Sequence, residues 1–169
     1  MINVVLYEPE IPENTGNIMR TCAGTNSHLH LIEPFGFIFD EKRIKRSTAN
    51  YIDKVQYTTY LDYNDFLEKN NGELYFFTRY ATKSYDEIDF SDTNKKIYLI
   101  FGKESTGIPK EILQNNLERC YRIPTSSNIR ALNLSNCVAI VTYEALRQQK
   151  FPNLLKKDLF KGENYLKKE

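Results

Sequence analysis

Short runs of β-branched, leucine and aromatic residues alternate along this chain with helical patterns, and this alternation constrains the fold more than any other feature. Four of these runs predict buried strands, at Ile2–Tyr7, His28–Ile32, Leu74–Thr78 and Ile97–Phe101. Two less regular runs, Lys54–Tyr60 and Arg119–Ile123, predict further strands. Strands that alternate with helices favour an α/β domain with a mostly parallel sheet flanked by helices.

The helical segments carry apolar residues on one side at helical spacing. Four segments have this pattern: Thr15–Gly24, Asp62–Asn70, Lys110–Asn115 and Leu134–Gln149. Asn14 or Thr15 is predicted to cap the first helix. Ligands of parallel sheets bind beyond the carboxyl ends of the strands. We therefore expect the functional site in the residues that follow Tyr7, Thr78, Phe101 and Ile123.

Length and composition fit one ordinary soluble domain, with 169 residues of which 41% are hydrophobic and 27% charged. We expect this domain to span residues 1–155, followed by a charged tail at 156–169. No apolar run approaches the roughly 18–20 residues of a membrane span. The N-terminus is predicted to be a first strand, not a signal peptide.

Three cysteines without a Cys-x-x-Cys pair argue against a disulfide framework or a zinc site. This cysteine usage fits a reducing compartment, so we expect a cytoplasmic protein without a bound metal. His28 and His30 would share one face of a strand. Metal binding by this pair is the less favoured alternative to a structural role at the end of a strand.

The net charge of +1 does not by itself indicate a nucleic-acid-binding protein. Positive charge is nevertheless concentrated locally, because Lys42–Arg46 contains four cations within five residues. A solvated helix face is the alternative interpretation of this cluster, and composition alone favours it.

A first segment that suggests chemistry, Glu8–Arg20, follows the first predicted strand and opens the first helix. Helix starts offer free backbone N–H groups and a positive dipole end. Asn14, Asn17 and Arg20 are therefore placed to meet an anion or a ribose. The alternative is a capped surface helix with a solvated arginine.

A second segment, Leu99–Pro109, is a predicted buried strand that runs into a glycine-rich loop. Gly102 and Gly107 have the spacing of a phosphate-binding P-loop, but the required Lys-Ser/Thr pair does not follow them. The chain also lacks Gly-x-Gly-x-x-Gly, which argues against the usual dinucleotide site. The glycine at this loop would let a ligand approach the backbone closely, beside Glu104.

A third segment, Arg122–Asn136, follows the last predicted strand and leads into the long helix. Ile123 and Leu132 are apolar residues that could hold a flat base, and polar residues such as Asn133 lie between and beside them. A polar connecting loop is the alternative interpretation of this segment.

Together and in this order, the three segments resemble the SPOUT class of RNA methyltransferases, and within it the small branch that acts on the wobble ribose of tRNA. The matching patterns are Pro-x-Ile-Pro-x-Asn-Thr-Gly-Asn-Ile-x-Arg (Pro9–Arg20), Phe-Gly-x-Glu-x-x-Gly-Ile-Pro (Phe101–Pro109), and Arg-Ile-Pro leading to Asn-Leu-Ser-Asn and Tyr-Glu-Ala (Arg122–Ala145). The resemblance covers about residues 1–150. The chain departs from it at Ala131, where many relatives carry a serine.

The resemblance implies an α/β fold with a deep C-terminal trefoil knot, a homodimer with a site near its interface, and S-adenosyl-L-methionine as cofactor. The residues that would bind the cofactor are Thr78, Gly102, Ile123, Ala131 and Leu132. Those implied in catalysis are Asn14, Arg20, Glu104 and Asn133. A guanidinium is a very poor base, so we expect Arg20 to hold phosphate and stabilise a developing alkoxide, with the other three positioning it and the ribose.

The implied reaction is methylation of the ribose 2′-hydroxyl at tRNA position 34, a cytidine or modified uridine, in leucine isoacceptors. The residues expected to contact the anticodon region of the RNA are Arg43, Lys45, Arg46 and Arg130. Two alternatives stay open at this point: a 2′-O-methyltransferase for ribosomal RNA or another tRNA position, and an RNA-binding module without catalysis.

Overall fold

The computed structural model describes residues 1–39, 52–161 and 165–166, and within them one seven-stranded sheet. The strands are β1 (Ile2–Tyr7), β2 (His28–Ile32), β3 (Tyr57–Tyr60), β4 (Glu73–Phe77), β5 (Lys83–Ser84), β6 (Ile97–Phe101) and β7 (Cys120–Arg122). Their order is β3-β2-β1-β6-β4-β7-β5, and every neighbouring pair is parallel. The predicted parallel α/β architecture is confirmed.

Three predicted strands have the expected bounds, and the others differ at their ends. The strand expected at Lys54–Tyr60 begins only at Tyr57, and Lys54 is instead the last residue of a 3-10 helix at Ile52–Lys54. The two-residue strand β5 was not predicted, since two residues are too few to carry a periodic pattern.

Four α-helices accompany the sheet in the described part of the chain: α1 (Pro12–Thr25), α2 (Tyr63–Lys69), α3 (Lys110–Gln114) and α4 (Leu134–Gln148). The predicted N-cap of α1 is wrong. This helix begins at Pro12 with Ile11 as its N-cap, and Asn14 and Thr15 lie buried inside its first turns. Proline favours the first helical position, because its fixed φ suits a helix and its missing N–H has no partner there.

The sheet is covered on both faces, as all-parallel sheets generally are. On one face, Val4 and Leu6 of β1 pack in a cluster that includes Ile18 of α1 and Val138 of α4. On the other face, Val5 joins a cluster built around β6, α2 and α3. The alternation of side chains along β1 therefore divides one continuous apolar run between two cores.

The two histidines of β2 are structural. The ring of His30 is buried against Tyr60, Phe66 and Tyr98 and forms hydrogen bonds with Tyr60 Oη (2.7 Å) and Asn3 Oδ1 (3.2 Å). Burial, with a smaller contribution from the charge of His28, lowers the pKa of His30 to about 3, so the ring is neutral near pH 7. In the described residues, no cluster of three or more histidine, cysteine or acidic side chains could hold a metal.

No helix in the described residues is both long and apolar enough to cross a membrane.

Candidate functional site

A cavity of about 800 Å³ opens where β4, β6 and β7 end at the carboxyl edge of the sheet. Its walls come from the loops after these three strands and from the beginnings of α1 and α4. All five residues expected to bind a cofactor line it: Thr78, Gly102, Ile123, Ala131 and Leu132. The three segments that the sequence singled out therefore meet at one place, although about 120 residues separate the first from the last.

Glu104 connects the second segment to the start of α1. Its carboxylate accepts hydrogen bonds from the backbone N–H of Glu10 (2.8 Å) and Ile11 (3.3 Å) and from Asn14 Nδ2 (2.9 Å). A helix start favours negative charge, and Glu104 supplies one there. Its backbone donors are the N-cap residue Ile11 and the preceding Glu10, so Glu104 holds the segment that enters α1, and the helix itself has no side-chain N-cap.

Asn14 extends this connection to the third segment. Its Oδ1 accepts a hydrogen bond from Asn133 Nδ2 (3.0 Å), while Asn133 Oδ1 accepts from the backbone N–H and the hydroxyl of Ser135 (2.9 and 2.7 Å). Asn133 is therefore the N-cap of α4 as well as a partner of Asn14. The chain of contacts from Glu104 through Asn14 to Asn133 fixes the orientation of both amides.

Two further contacts hold the loop after β1 against the loop after β6. Lys103 Nζ lies 2.6 Å from Glu8 Oε2, and this hydrogen bond raises the pKa of Lys103. Ser105 donates from its backbone N–H and its hydroxyl to the Glu10 carboxylate, at 2.9 Å each. These hydrogen bonds lower the pKa of Glu10, so its carboxylate is ionised near neutral pH.

The backbone of the loop in the second segment requires its two glycines whether or not a ligand binds. A Cβ at Gly102 would lie 2.2 Å from the backbone of Gly107 and Ile108, so the loop can close on itself only without a side chain at this position. Gly107 has φ +75°, a conformation that favours glycine, and it donates a hydrogen bond to the carbonyl of Lys103 (2.9 Å). Glycine was expected at this loop to let a ligand approach the backbone, whereas closure of the loop alone already requires it.

Arg20 is not among the residues that line the cavity of its own chain. It lies on the exposed side of α1, about 9 Å along the helix axis from Asn14 at a rise of roughly 1.5 Å per residue. Asn14 contacts both Glu104 and Asn133, and the expectation that these three residues position Arg20 stays a prediction.

The expected RNA-contacting residues are divided. Arg130 is exposed and lines the cavity. Arg43, Lys45 and Arg46 lie outside the described residues. Two other lining residues, Tyr80 and Arg122, had no predicted role, although they lie next to the ends of β4 and β7, where a site was expected. Their position after β4 and in β7 was the signal that could have identified them.

Comparison with known proteins gives a consistent result. Residues 1–143 match the model of the SpoU rRNA Methylase family. A protein of Escherichia coli K12, named tRNA (cytidine(34)-2'-O)-methyltransferase, is 43% identical and covers 94% of this chain and 100% of its own. A Listeria innocua protein, provisionally named for the same reaction, is 53% identical over 90% of this chain and 91% of its own.

A solved structure described as "Structural insights into the 2-OH methylation of C/U34 on tRNA" superposes with a TM-score of 0.80. It is 35% identical and covers 89% of this chain and 97% of its own.

Proposed function

The chain belongs to the SpoU rRNA methylase family, and from this premise we propose that it methylates the 2′-hydroxyl of the wobble ribose, position 34, of tRNA. Membership makes it an RNA methyltransferase. The proposal rests on one observation above all: three sequence segments typical of the family line a single cavity, in a chain that matches the whole length of an E. coli enzyme named for this reaction.

The cavity suits S-adenosyl-L-methionine, which supplies an activated methyl group on a sulfonium. Its volume lies within the roughly 300–1,000 Å³ of small-molecule sites. Ile123 and Leu132 offer apolar walls for an adenine ring, and the strand ends at Thr78 and Gly102 offer backbone groups for its edge. Ala131 adds no hydroxyl, so the serine of many relatives has no counterpart in this site.

The residues of the cavity are suited to positioning and electrostatics more than to proton abstraction. Glu104 is the only carboxylate among the described residues that line the cavity, and three donors already occupy it. Asn14 and Asn133 do not titrate. We infer that the chain orients the ribose and stabilises the alkoxide as its proton leaves, a kind of contribution that can reach several kcal/mol.

We propose that the enzyme is a homodimer in which Arg20 acts at the site of the partner subunit. Within its own chain Arg20 lies outside the cavity, yet α1 and α4 pack side by side on the same face of the sheet. α4 also exposes Ile140 and Tyr143, two large apolar side chains one turn apart. An interface over this face would cover them and bring α1 close to a second copy of the cavity.

We also propose the C-terminal trefoil knot that the family resemblance implies. β7 lies beyond β4 in the sheet, yet α4, which follows it, packs back against α1, β1 and β6. The connection from β4 to β6 meets the end of α4 there: Gln148 hydrogen-bonds to Ile88 O and Phe90 N, and Gln149 to Phe90 O. These contacts are expected if the C-terminal segment passes beneath that connection.

The substrate is tested by incubating purified protein with total RNA and labelled S-adenosylmethionine, then mapping the labelled riboses by mass spectrometry. We expect label on the nucleotide-34 ribose of tRNA, beginning with leucine isoacceptors, in keeping with a cytoplasmic enzyme. Label confined to ribosomal RNA or to another tRNA loop would overturn the substrate and leave the methyltransferase. Absence of S-adenosylhomocysteine binding by calorimetry would favour the RNA-binding module.

A further inference from the structure

Tyr80 is a large aromatic residue on the rim of the cavity, and its side chain contributes little to the core. It follows the end of β4 by three residues and is 68% exposed. It nevertheless lines the same cavity as Thr78 and Gly102. The exposed ring therefore offers apolar surface that a ligand bound in the cavity would cover.

The ring of Tyr80 is held in place by its neighbour. The guanidinium of Arg79 lies over the ring, 4.7 Å from its centroid, and donates a hydrogen bond to Tyr80 Oη (2.5 Å). The backbone N–H of Tyr80 also donates to Thr78 Oγ1 (3.4 Å). Within the described residues, no other ring contacts Tyr80. One face of the ring is thus covered by a cation, and the other is available.

The charges around Tyr80 indicate what could bind there. Arg79, Arg122 and Arg130 all line the cavity, and none of them has a carboxylate partner in the part of the chain that the structure describes. The carboxylate of Glu104 is already engaged by three donors. S-adenosylmethionine carries a net positive charge of its own, so three arginines that lack a carboxylate partner among the described residues suit an anionic second ligand better than this cofactor.

We propose that Tyr80 is a stacking platform for the base of a nucleotide that flanks the methylated ribose, and that Arg79 holds the ring and binds the phosphate of that nucleotide. This inference rests on the proposed function. Unpaired loop nucleotides are the form of RNA that proteins read most readily, and they stack on aromatic rings and guanidinium planes. A platform beside the cavity would keep the neighbouring base from restacking on the target nucleotide.

The first test is RNA affinity measured on Tyr80→Ala and Tyr80→Phe with a synthetic anticodon stem–loop. We expect Tyr80→Ala to raise the Kd for this RNA by about 5- to 150-fold, the effect of losing one base–aromatic stack. Tyr80→Phe is expected to restore most of the lost affinity, because stacking does not need the hydroxyl. Calorimetry should give both variants a wild-type affinity for S-adenosylhomocysteine.

The matched control is Leu117→Ala. Leu117 is 65% exposed, close to Tyr80 in this respect, but it precedes the amino end of β7 and so lies at the opposite edge of the sheet. We expect no change in RNA affinity for this variant. An equal loss in Leu117→Ala would show that exposed apolar surface, not the rim, governs binding.

Other outcomes would overturn the platform. An unchanged Kd for Tyr80→Ala would remove Tyr80 from the RNA site. A parallel loss of S-adenosylhomocysteine affinity would assign Tyr80 to the cofactor. If Tyr80→Phe bound the RNA as weakly as Tyr80→Ala, the lost contact would be a hydrogen bond of the tyrosine hydroxyl and not a stack.

A second readout observes the stack itself. 2-Aminopurine placed on either side of the target nucleotide should be quenched on binding to wild type at one of the two positions, and this quenching should disappear in Tyr80→Ala. Equal fluorescence for wild type and variant at both positions would contradict the platform. Failure of the proposed function can be told apart from failure of the platform. The wild-type protein alone shows which RNA nucleotide is methylated. The ratio of the Kd values of Tyr80→Ala and wild type is then measured on the RNA that wild type methylates.

Discussion

Replacement of Glu104 by glutamine tests whether its carboxylate joins α1 to the rest of the site. Oε2 accepts from Glu10 N, while Oε1 accepts from Ile11 N and Asn14 Nδ2. Glutamine keeps one oxygen, so its NH₂ group must face at least one donor. Even in the better orientation, Glu104→Gln loses one hydrogen bond to a charged group and the negative charge at the helix start.

The magnitude follows from these two losses. A hydrogen bond to a charged group contributes about 1.5–3 kcal/mol when buried, and an acidic group at a helix N-terminus about 0.3–1 kcal/mol. Glu104 is half-buried, so we take the lower part of the combined range and expect a loss of roughly 2–3 kcal/mol. For a chain of this length that corresponds to a Tm about 4–12 °C lower.

Thermal unfolding followed by circular dichroism measures this shift, with Glu13→Gln as the matched control. Glu13 lies in the first turn of the same helix and is exposed, and no hydrogen bond to its side chain is found in the described residues. Its replacement removes the same charge alone, so we expect its Tm within about 2 °C of wild type, as for most surface changes. A Glu104→Gln Tm within about 1 °C of wild type, or equal shifts in both variants, would refute the proposed connection.

Three further predictions test other parts of the structure. Arg20→Ala should fold and bind S-adenosylhomocysteine as wild type does, but lose at least about 10²-fold in the single-turnover rate of methyl transfer; a rate near wild type would remove Arg20 from the reaction. Gly102→Ala should cost about 1–3 kcal/mol by overpacking against Gly107, whereas Gly24→Ala, which meets no atom within 4 Å in an exposed helix, should be neutral or stabilising; equal effects on urea unfolding would contradict the loop geometry. Because the pKa of His30 is lowered in the folded chain, the unfolded chain binds a proton there at higher pH, so the free energy of unfolding should fall as the pH drops below about 6.5, by about 1.4 kcal/mol at pH 5.5. His30→Gln should remove that part of the loss. An identical pH dependence of both proteins would argue against a neutral buried His30.

The strands that form the centre of the sheet could be predicted because their residues are apolar, with Asn3 as the one exception. Ile2–Tyr7 and Ile97–Phe101 are buried on both faces, so they lack the apolar–polar alternation of a half-exposed strand. The ends of the apolar run therefore mark the ends of the strand. The strand end also predicted where the cavity would lie, since all carboxyl ends of a parallel sheet meet at one edge. The cavity is lined by Arg79, Gly102 and Thr125, which lie just after three of the predicted strand ends.

The contacts that organise the site could not be predicted, because they join residues far apart in sequence. Glu104 holds the segment that enters α1, but it lies 90 residues away from Asn14 in sequence, so the local sequence does not reveal it. The prediction that Asn14 caps the helix was made from the local sequence alone and is wrong. Tyr80 belongs to none of the three motifs, and Arg122 opens the third motif without a role of its own, so only the cavity that both line connects them to the site. The placement of Arg20 outside the cavity of its own chain is likewise a three-dimensional fact.

The most direct test of the central claim compares two synthetic anticodon stem–loops that differ only at nucleotide 34, one with a ribose and one with a 2′-deoxyribose. Purified protein and labelled S-adenosylmethionine should transfer one methyl group to the first and none to the second, and nuclease mapping should place it on nucleotide 34. Equal labelling of both RNAs, or labelling of neither by a protein that binds S-adenosylhomocysteine, would contradict wobble 2′-O-methylation.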